Sequence, residues 1–201
     1  MSSEAQNLSL DGYKDLPAGK IASVVTYLEM RSRPKLDWST SDGRFALQRQ
    51  DRPNLGAYRD LFRRVGEHWL WFSRLAMPDA ELRRTLDQSQ VYYLVSKGRP
   101  KGLLELDARE PGQIELTFLG IVPELIGKGA GKFLLANASD LAWAQNPGRF
   151  CVHTCSLDHP RALGLYIAAG FVPYKRAIEV AEDPRGTGKL PRSAAPQVPI
   201  L

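Results

Sequence analysis

Cysteine is almost missing: two in 201 residues cannot build a disulfide framework, so a reducing, cytoplasmic setting is expected. No stretch approaches the roughly 18 consecutive apolar residues of a membrane-spanning helix. The first twenty residues, MSSEAQNLSLDGYKDLPAGK, lack the apolar segment of a secretory leader, so no membrane partner is expected. Internal repeats and long low-complexity tracts are also absent, which excludes solenoids. A concentrated charge of one sign is lacking too. The net charge of +5 divides as 12 basic against 9 acidic groups in 1–76, 8 against 9 in 77–144, and 7 against 4 in 145–201. Nucleic-acid binders gather Lys and Arg on one helix or face. The densest cluster here, Arg63-Arg64 one turn after Arg59, reads as a solvated helix face, and no nucleic-acid partner is expected. Mild positive charge does suit an anionic small ligand such as a phosphorylated cofactor.

What is present is ordinary globular composition, 43% hydrophobic and 24% charged, which excludes wholesale disorder. The length predicts one domain with short tails: a mobile lead-in over 1–20, a folded domain over 21–181, and an extended proline-rich tail over 182–201. Within the domain, the β-branched run 21–30 predicts a strand, followed by a polar stretch. Tyr58, Leu61, Phe62, Val65 and Trp69 recur at helical spacing and predict a helix from Leu55 to Leu75; a second is expected over 78–88. Strand-like runs at 91–98 and 101–110 flank the Gly98-Arg99-Pro100 turn and predict a hairpin. A third run follows at 113–122. A glycine loop then opens a helix ending near Ala144, a strand is expected at 149–157, and a helix starting at Asp158 or His159 is stopped by Gly170. A last strand spans 171–181. The order β-α-α-β-β-β-α-β-α-β implies an α/β fold with a mixed, largely antiparallel sheet and helices on both faces.

Gly127-Lys128-Gly129-Ala130-Gly131 follows a strand and opens a helix. Glycines there let the backbone approach a ligand closely, and the N–H groups and dipole of the helix start favour phosphate. Lys128 and Lys132 add positive charge. A Walker A loop is excluded, because it would need glycine at Ile126 and Ser or Thr at Phe133; the dinucleotide pattern fails because its third glycine would fall on Lys132. A tight strand-to-helix turn without a ligand also accounts for these glycines.

A second motif lies one strand further on. His159-Pro160-Arg161-Ala162-Leu163-Gly164-Leu165-Tyr166-Ile167-Ala168-Ala169-Gly170-Phe171 resembles the N-P-x-A-x-x-x-Y-x-x-x-G-F segment of the GCN5-related N-acetyltransferases (GNAT). Ile126 to Gly131 resembles that family's [QR]-x-x-G-x-[GA] loop. The motifs stand in the family's order, and the likeness covers about 100–181. Two positions depart: Ile126 replaces Gln or Arg, and His159 replaces Asn.

The resemblance implies transfer of an acetyl group from acetyl-CoA to a primary amine by direct attack in a ternary complex, with no metal. It implies that backbone groups of Leu119 and Ile121 pair with the pantetheine arm, and that the Leu119 N–H polarises the acetyl carbonyl. Residues Ile126, Gly127, Lys128, Gly129, Ala130, Gly131 and Lys132 would wrap the pyrophosphate, with His159 and Ala162 near the cofactor. Tyr166 would protonate the departing thiolate; the same spacing also suits a core aromatic. For the base, Glu115 lies four residues before Leu119 and, by period two, on its face, with Glu105 and Asp107 as competitors; each also suits a salt-bridged surface carboxylate. Trp71, Phe72, Arg74 and Glu105 are candidates for the acceptor site, Arg74 by binding a substrate carboxylate, while core packing accounts equally for the aromatics. Cys151 and Cys155 lie about 13 Å apart on a strand, too far to share a zinc ion, though His153 and Cys155 border the expected cleft. The acceptor is a small-molecule or peptide amine, and a homodimer is left open. A CoA-binding or structural module without turnover remains the alternative.

Overall fold

The computed structural model describes residues 11–38 and 43–201; the first ten residues of the expected lead-in lie outside them. The strands are β1 (Lys20–Met30), β2 (Ala46–Gln50), β3 (Ser89–Ser96), β4 (Arg99–Asp107), β5 (Gln113–Ile121), β6 (Arg149–Cys155) and β7 (Val172–Glu182). The helices are α1 (Leu55–Gly66), α2 (Ser73–Ala76), α3 (Asp79–Asp87), α4 (Ala130–Trp143) and α5 (Ala162–Ala168). One seven-stranded sheet runs in the order β2-β3-β4-β5-β6-β1-β7. Among the described strands only β5 and β6 pair in parallel; every other neighbour is antiparallel. The first strand is therefore interior, held between β6 and β7.

The α1 helix starts where Asn54 Oδ1 accepts from the Ala57 N–H at 3.0 Å, satisfying one of the unpaired first-turn donors. Its Tyr58, Leu61, Phe62 and Val65 are buried, as their spacing predicts. The helix expected to reach Leu75 instead ends at Gly66, because the chain folds back there. The Trp71 N–H donates to the Gly66 carbonyl at 3.0 Å, and a Cβ at residue 66 would collide with the Trp71 side chain. The polar stretch after β1 holds a strand that the sequence pattern does not announce. β2 is an edge strand with a largely exposed ALQRQ sequence, so no burial imposes alternation on it. The expected start of α5 at Asp158 or His159 moves to Ala162, because Asp158 is turned inward.

Parallel pairing of β5 with β6 runs from Gln113↔Arg149 to Leu116↔Val152 and stops. Beyond these residues the two strands part, and the opening is the cleft described below. A bulge shapes its β5 side: Leu116 pairs with Leu106 and Phe118 with Glu105, leaving Thr117 as an extra residue. Adding one residue inverts the alternation, so Leu119 lies on the opposite face from Glu115, not on the same one as period two predicts.

The proline-rich end does not extend away from the domain. Leu190, Ala194 and Ala195 are buried with Ile21 of β1 and with Leu70, and Val198 packs against them.

Candidate functional site

The parted strands open a cleft of about 800 Å³, with two unlike walls. One is the turn leading into α4. Gly127 and Gly129 have φ of 79° and 86°, a left-handed region that only glycine enters at little cost. Gly129 is also the residue before α4, and among the described residues no side chain caps that helix N-terminus. Its first N–H groups have no partner within the helix. Among the described residues nothing lies within 4 Å of where a Cβ on Gly127 would project, and a Cβ on Gly129 would lie 3.7 Å from Arg44 Nη2, which places that guanidinium beside the loop. Ile126, Gly127, Gly129, Gly131 and Lys132 all border the cleft, whereas Lys128 and Ala130 do not. Ala130 is fully buried, and its small side chain lets α4 seat on the core. Open backbone, uncapped donors and two cationic side chains fit a pyrophosphate. Arg44 carries no motif and could have been found only through its charge.

The other wall is built from side chains of separated segments. Trp69, Leu70, Trp71, Phe72 and Arg74 border the cleft. Trp71 packs its ring against Phe62 at 5.6 Å and Phe118 at 5.2 Å. Its Nε1–H donates to Asp158 Oδ1 at 3.0 Å. The other oxygen of Asp158 accepts from Thr154 Oγ1 at 2.7 Å and from the Cys155 N–H at 2.9 Å. Asp158 thus ties the loop after α1 to the end of β6. In the sequence it marks only a helix start, since a carboxylate that satisfies donors from distant segments has no local signature. Leu70 holds φ at 55°, a strained conformation for a residue with a branched side chain, worth about 1–3 kcal/mol.

The structure corrects Glu105 as an acceptor-site residue. It is fully buried, receives a hydrogen bond from the Tyr58 hydroxyl, and accepts from Arg74 Nη2 at 3.0 Å. Burial pushes the Glu105 carboxyl up, opposed by the Arg74 charge. Arg74 borders the cleft but is only 8% exposed. Its charge is already balanced by Glu105, and its guanidinium lies 4.9 Å over the Phe118 ring. A substrate carboxylate is therefore not what Arg74 is arranged to meet; it supports the aromatic wall from behind.

Between the walls lie the titratable groups. Leu119, Ile121, His159, Ala162 and Tyr166 border the cleft together with His153 and Cys155. Burial, and secondarily the Asp158 charge, push the Tyr166 phenol far above its ordinary value, so it is protonated at neutral pH. Glu115 does not border the cleft. It reaches it through His153, whose Nδ1 lies 3.1 Å from Glu115 Oε1. That bond raises the His153 imidazole above its ordinary value, against desolvation, with smaller contributions from Asp158 and Glu179. His153 is the first β6 residue past the last parallel pair, and its ring rests 5.7 Å from Tyr27. Burial raises both thiols, Cys151 to about 11 and Cys155 in the same direction. Among the described residues, no three His, Cys, Asp or Glu side chains are gathered to hold a metal ion, and no helix is long and apolar enough to cross a membrane.

No sequence-family model matches the chain, and no curated protein matches it in sequence. Solved structures do resemble it. An IAA acetyltransferase from Bacillus cereus superposes with a TM-score of 0.52 at 19% identity, over 65% of this chain and 79% of that one. A protein assigned to the GNAT family from Novosphingobium aromaticivorans gives 0.58 at 15% identity, over 83% and 68%. The ribosomal-protein-S18-alanine N-acetyltransferase of Escherichia coli gives 0.52 at 13% identity, over 69% and 94%. Seven strands in a mixed sheet flanked by helices, with a cleft where two parallel strands part, thus make the fold of this chain that of the GCN5-related N-acetyltransferases.

Proposed function

We propose that the chain transfers an acetyl group from acetyl-CoA to a primary amine. The observation that carries this reading is the parting of β5 from β6. It brings a protonated phenol, Tyr166, and a carboxylate-held imidazole, His153, to one cleft that also reaches the open backbone of Gly127 to Gly131.

Acetyl-CoA, when bound, supplies the thioester. The loop at Ile126, Gly127, Gly129, Gly131 and Lys132, with Arg44 beside it, holds its anionic end, and the β5 backbone at Leu119 and Ile121 aligns the rest, with the Leu119 N–H donating to the acyl oxygen as charge develops there. An amine must lose a proton to attack. His153 takes it: with Nδ1–H donating to Glu115, Nε2 is the accepting nitrogen, and Glu115 steadies the imidazolium that results. Glu115 is thus a positioning residue acting through His153. Tyr166 gives its hydroxyl proton to the departing sulfur. The raised values of Cys151 and Cys155 keep both thiols protonated and poorly nucleophilic, which favours direct attack over a covalent enzyme intermediate.

Ile126, where the resembling loop carries Gln or Arg, favours the alternative of a CoA-binding module without turnover. Thiol release from acetyl-CoA, measured across a panel of primary amines with CoA binding followed by calorimetry, separates the two. Saturable, amine-dependent release is expected. Tight CoA binding with no release for any amine would overturn the enzymatic reading.

A further inference from the structure

The strained Leu70 is held in place by the end of the chain. It is 4% exposed, and the residues buried with it are Ile21, Leu190, Ala194 and Ala195. A tail rich in proline and glycine would not by itself pack there. It is folded by one buried ion pair, Asp183 with Arg185, each 3% exposed. Arg185 donates from Nε to Asp183 Oδ1 at 2.9 Å and from Nη2 to Oδ2 at 2.7 Å. Its Nη1 gathers the carbonyls of Val198 at 2.7 Å, Ala194 at 3.2 Å and Ala195 at 3.3 Å. The Asp183 N–H donates to the Gly19 carbonyl at 2.8 Å, fixing the clasp beside the start of β1. The folded tail then reaches the loop after α1 at two more points. Gln197 Nε2 donates to the His68 carbonyl at 2.8 Å, and Lys189 Nζ lies 5.9 Å over the Phe72 ring.

A buried guanidinium that collects three backbone carbonyls from residues nine to thirteen positions ahead is a tie built for rigidity. What it makes rigid is the wall of the cleft: Ile21, Leu70, Phe72, Leu157 and Ala181 border the cleft and belong to, or pack against, the cluster that the tail completes. That wall is largely apolar, with Ser23 and Ser73 as its polar members, and Glu179 borders the same cleft. We propose that Arg185 is a positioning residue for amine recognition, folding residues 183–198 into a backing for the loop at 67–72, and that the acceptor is a primary amine with an apolar or aromatic body. A polyamine or an aminosugar carries more hydroxyls or charges than Ser23, Ser73 and Glu179 can pair against this wall. The substrate class rests on the acetyl-transfer reading; the positioning role does not.

The test uses the full chain with Arg185→Ala, Arg185→Lys and Gln197→Ala, the last being an exposed change that spares the clasp should Arg185→Ala fail to fold. Amide hydrogen exchange at 67–72 and calorimetric CoA affinity need no turnover. With phenethylamine as the apolar probe and spermidine as the polar one, KM is compared for each variant. Arg185→Ala is expected to speed exchange at 67–72 and raise the phenethylamine KM about tenfold, with CoA affinity unchanged. Gln197→Ala should move both in the same direction by about two- to threefold, and Arg185→Lys should recover part of the loss. Unchanged exchange at 67–72 in Gln197→Ala and in each folded Arg185 variant would overturn the positioning role. Faster exchange with an unchanged amine KM, or an equal loss of CoA affinity, would overturn its link to amine recognition. Wild-type preference for spermidine would overturn the apolar class, and no turnover with any amine would defeat the acetyl-transfer reading while leaving the exchange result to decide the tie.

Discussion

The two walls of the cleft are made by different means. The wall at α4 is a single run, residues 126–132, shaped by backbone conformation: two glycines in the left-handed region and a helix start that no described side chain caps. The opposite wall draws on β1, the loop at 67–72, the end of β6, β7 and the tail, and is held by side chains that meet across the whole sequence. A site made of contiguous backbone tolerates change at surrounding side chains but not at its glycines. A site made of distant side chains can be retuned by any one of them. Under the proposed function, this division assigns donor binding to the first wall, amine recognition to the second, and the chemistry to His153 and Tyr166 between them.

The groups between the walls should show the largest effect. Tyr166→Phe and His153→Gln are each expected to lower kcat by about 10²–10⁴ while CoA affinity measured by calorimetry stays constant; a parallel loss of CoA binding would merge chemistry with the donor wall. Behind the aromatic wall, Glu105→Ala leaves the Arg74 guanidinium buried without its partner and should cost about 3–5 kcal/mol in denaturant unfolding. Replacing the whole network at once, with Tyr58→Phe and Arg74→Met added to Glu105→Leu, should restore most of that, since apolar groups of similar volume then leave no polar atom unpaired. On the donor wall, Gly129→Val forces a branched side chain into a left-handed conformation and should weaken CoA by about 1–3 kcal/mol without changing the amine KM. The smallest effect concerns pH. His153 must be neutral to accept a proton, and Glu115 raises its value, so activity should climb with pH through an apparent value above 6.5. Glu115→Gln should shift that rise toward lower pH, so the variant loses relatively less at pH 6 than at pH 8. A rise that does not move would detach Glu115 from His153.

The same difference decides what could be read beforehand. The glycine loop and the His159 to Phe171 segment were legible because a backbone conformation and a helix face leave fixed spacings in the sequence. The strand order β3-β4-β5 followed from hairpin turns, and Tyr166 and Leu119 do border the cleft. The edge strand β2 was illegible because exposure removes the alternation that marks a strand. Period two puts Glu115 on the face of Leu119, and a single extra residue at Thr117 inverts that period. Glu105 looked available as a carboxylate beside the cleft, and only the packing of Tyr58 and Arg74 around it reveals a buried structural group. Asp158 and Arg185 have partners 87 residues away and up to 14 residues ahead, respectively, and neither distance leaves a local pattern.

The most direct test of the account is a crystal structure of the chain with CoA. It predicts the pyrophosphate on the amides of residues 127–131 and the sulfur between the walls, within about 3–3.5 Å of the Tyr166 hydroxyl, with His153 facing the space beyond it. CoA bound away from the parting of β5 and β6, or its sulfur out of reach of both Tyr166 and His153, would contradict it.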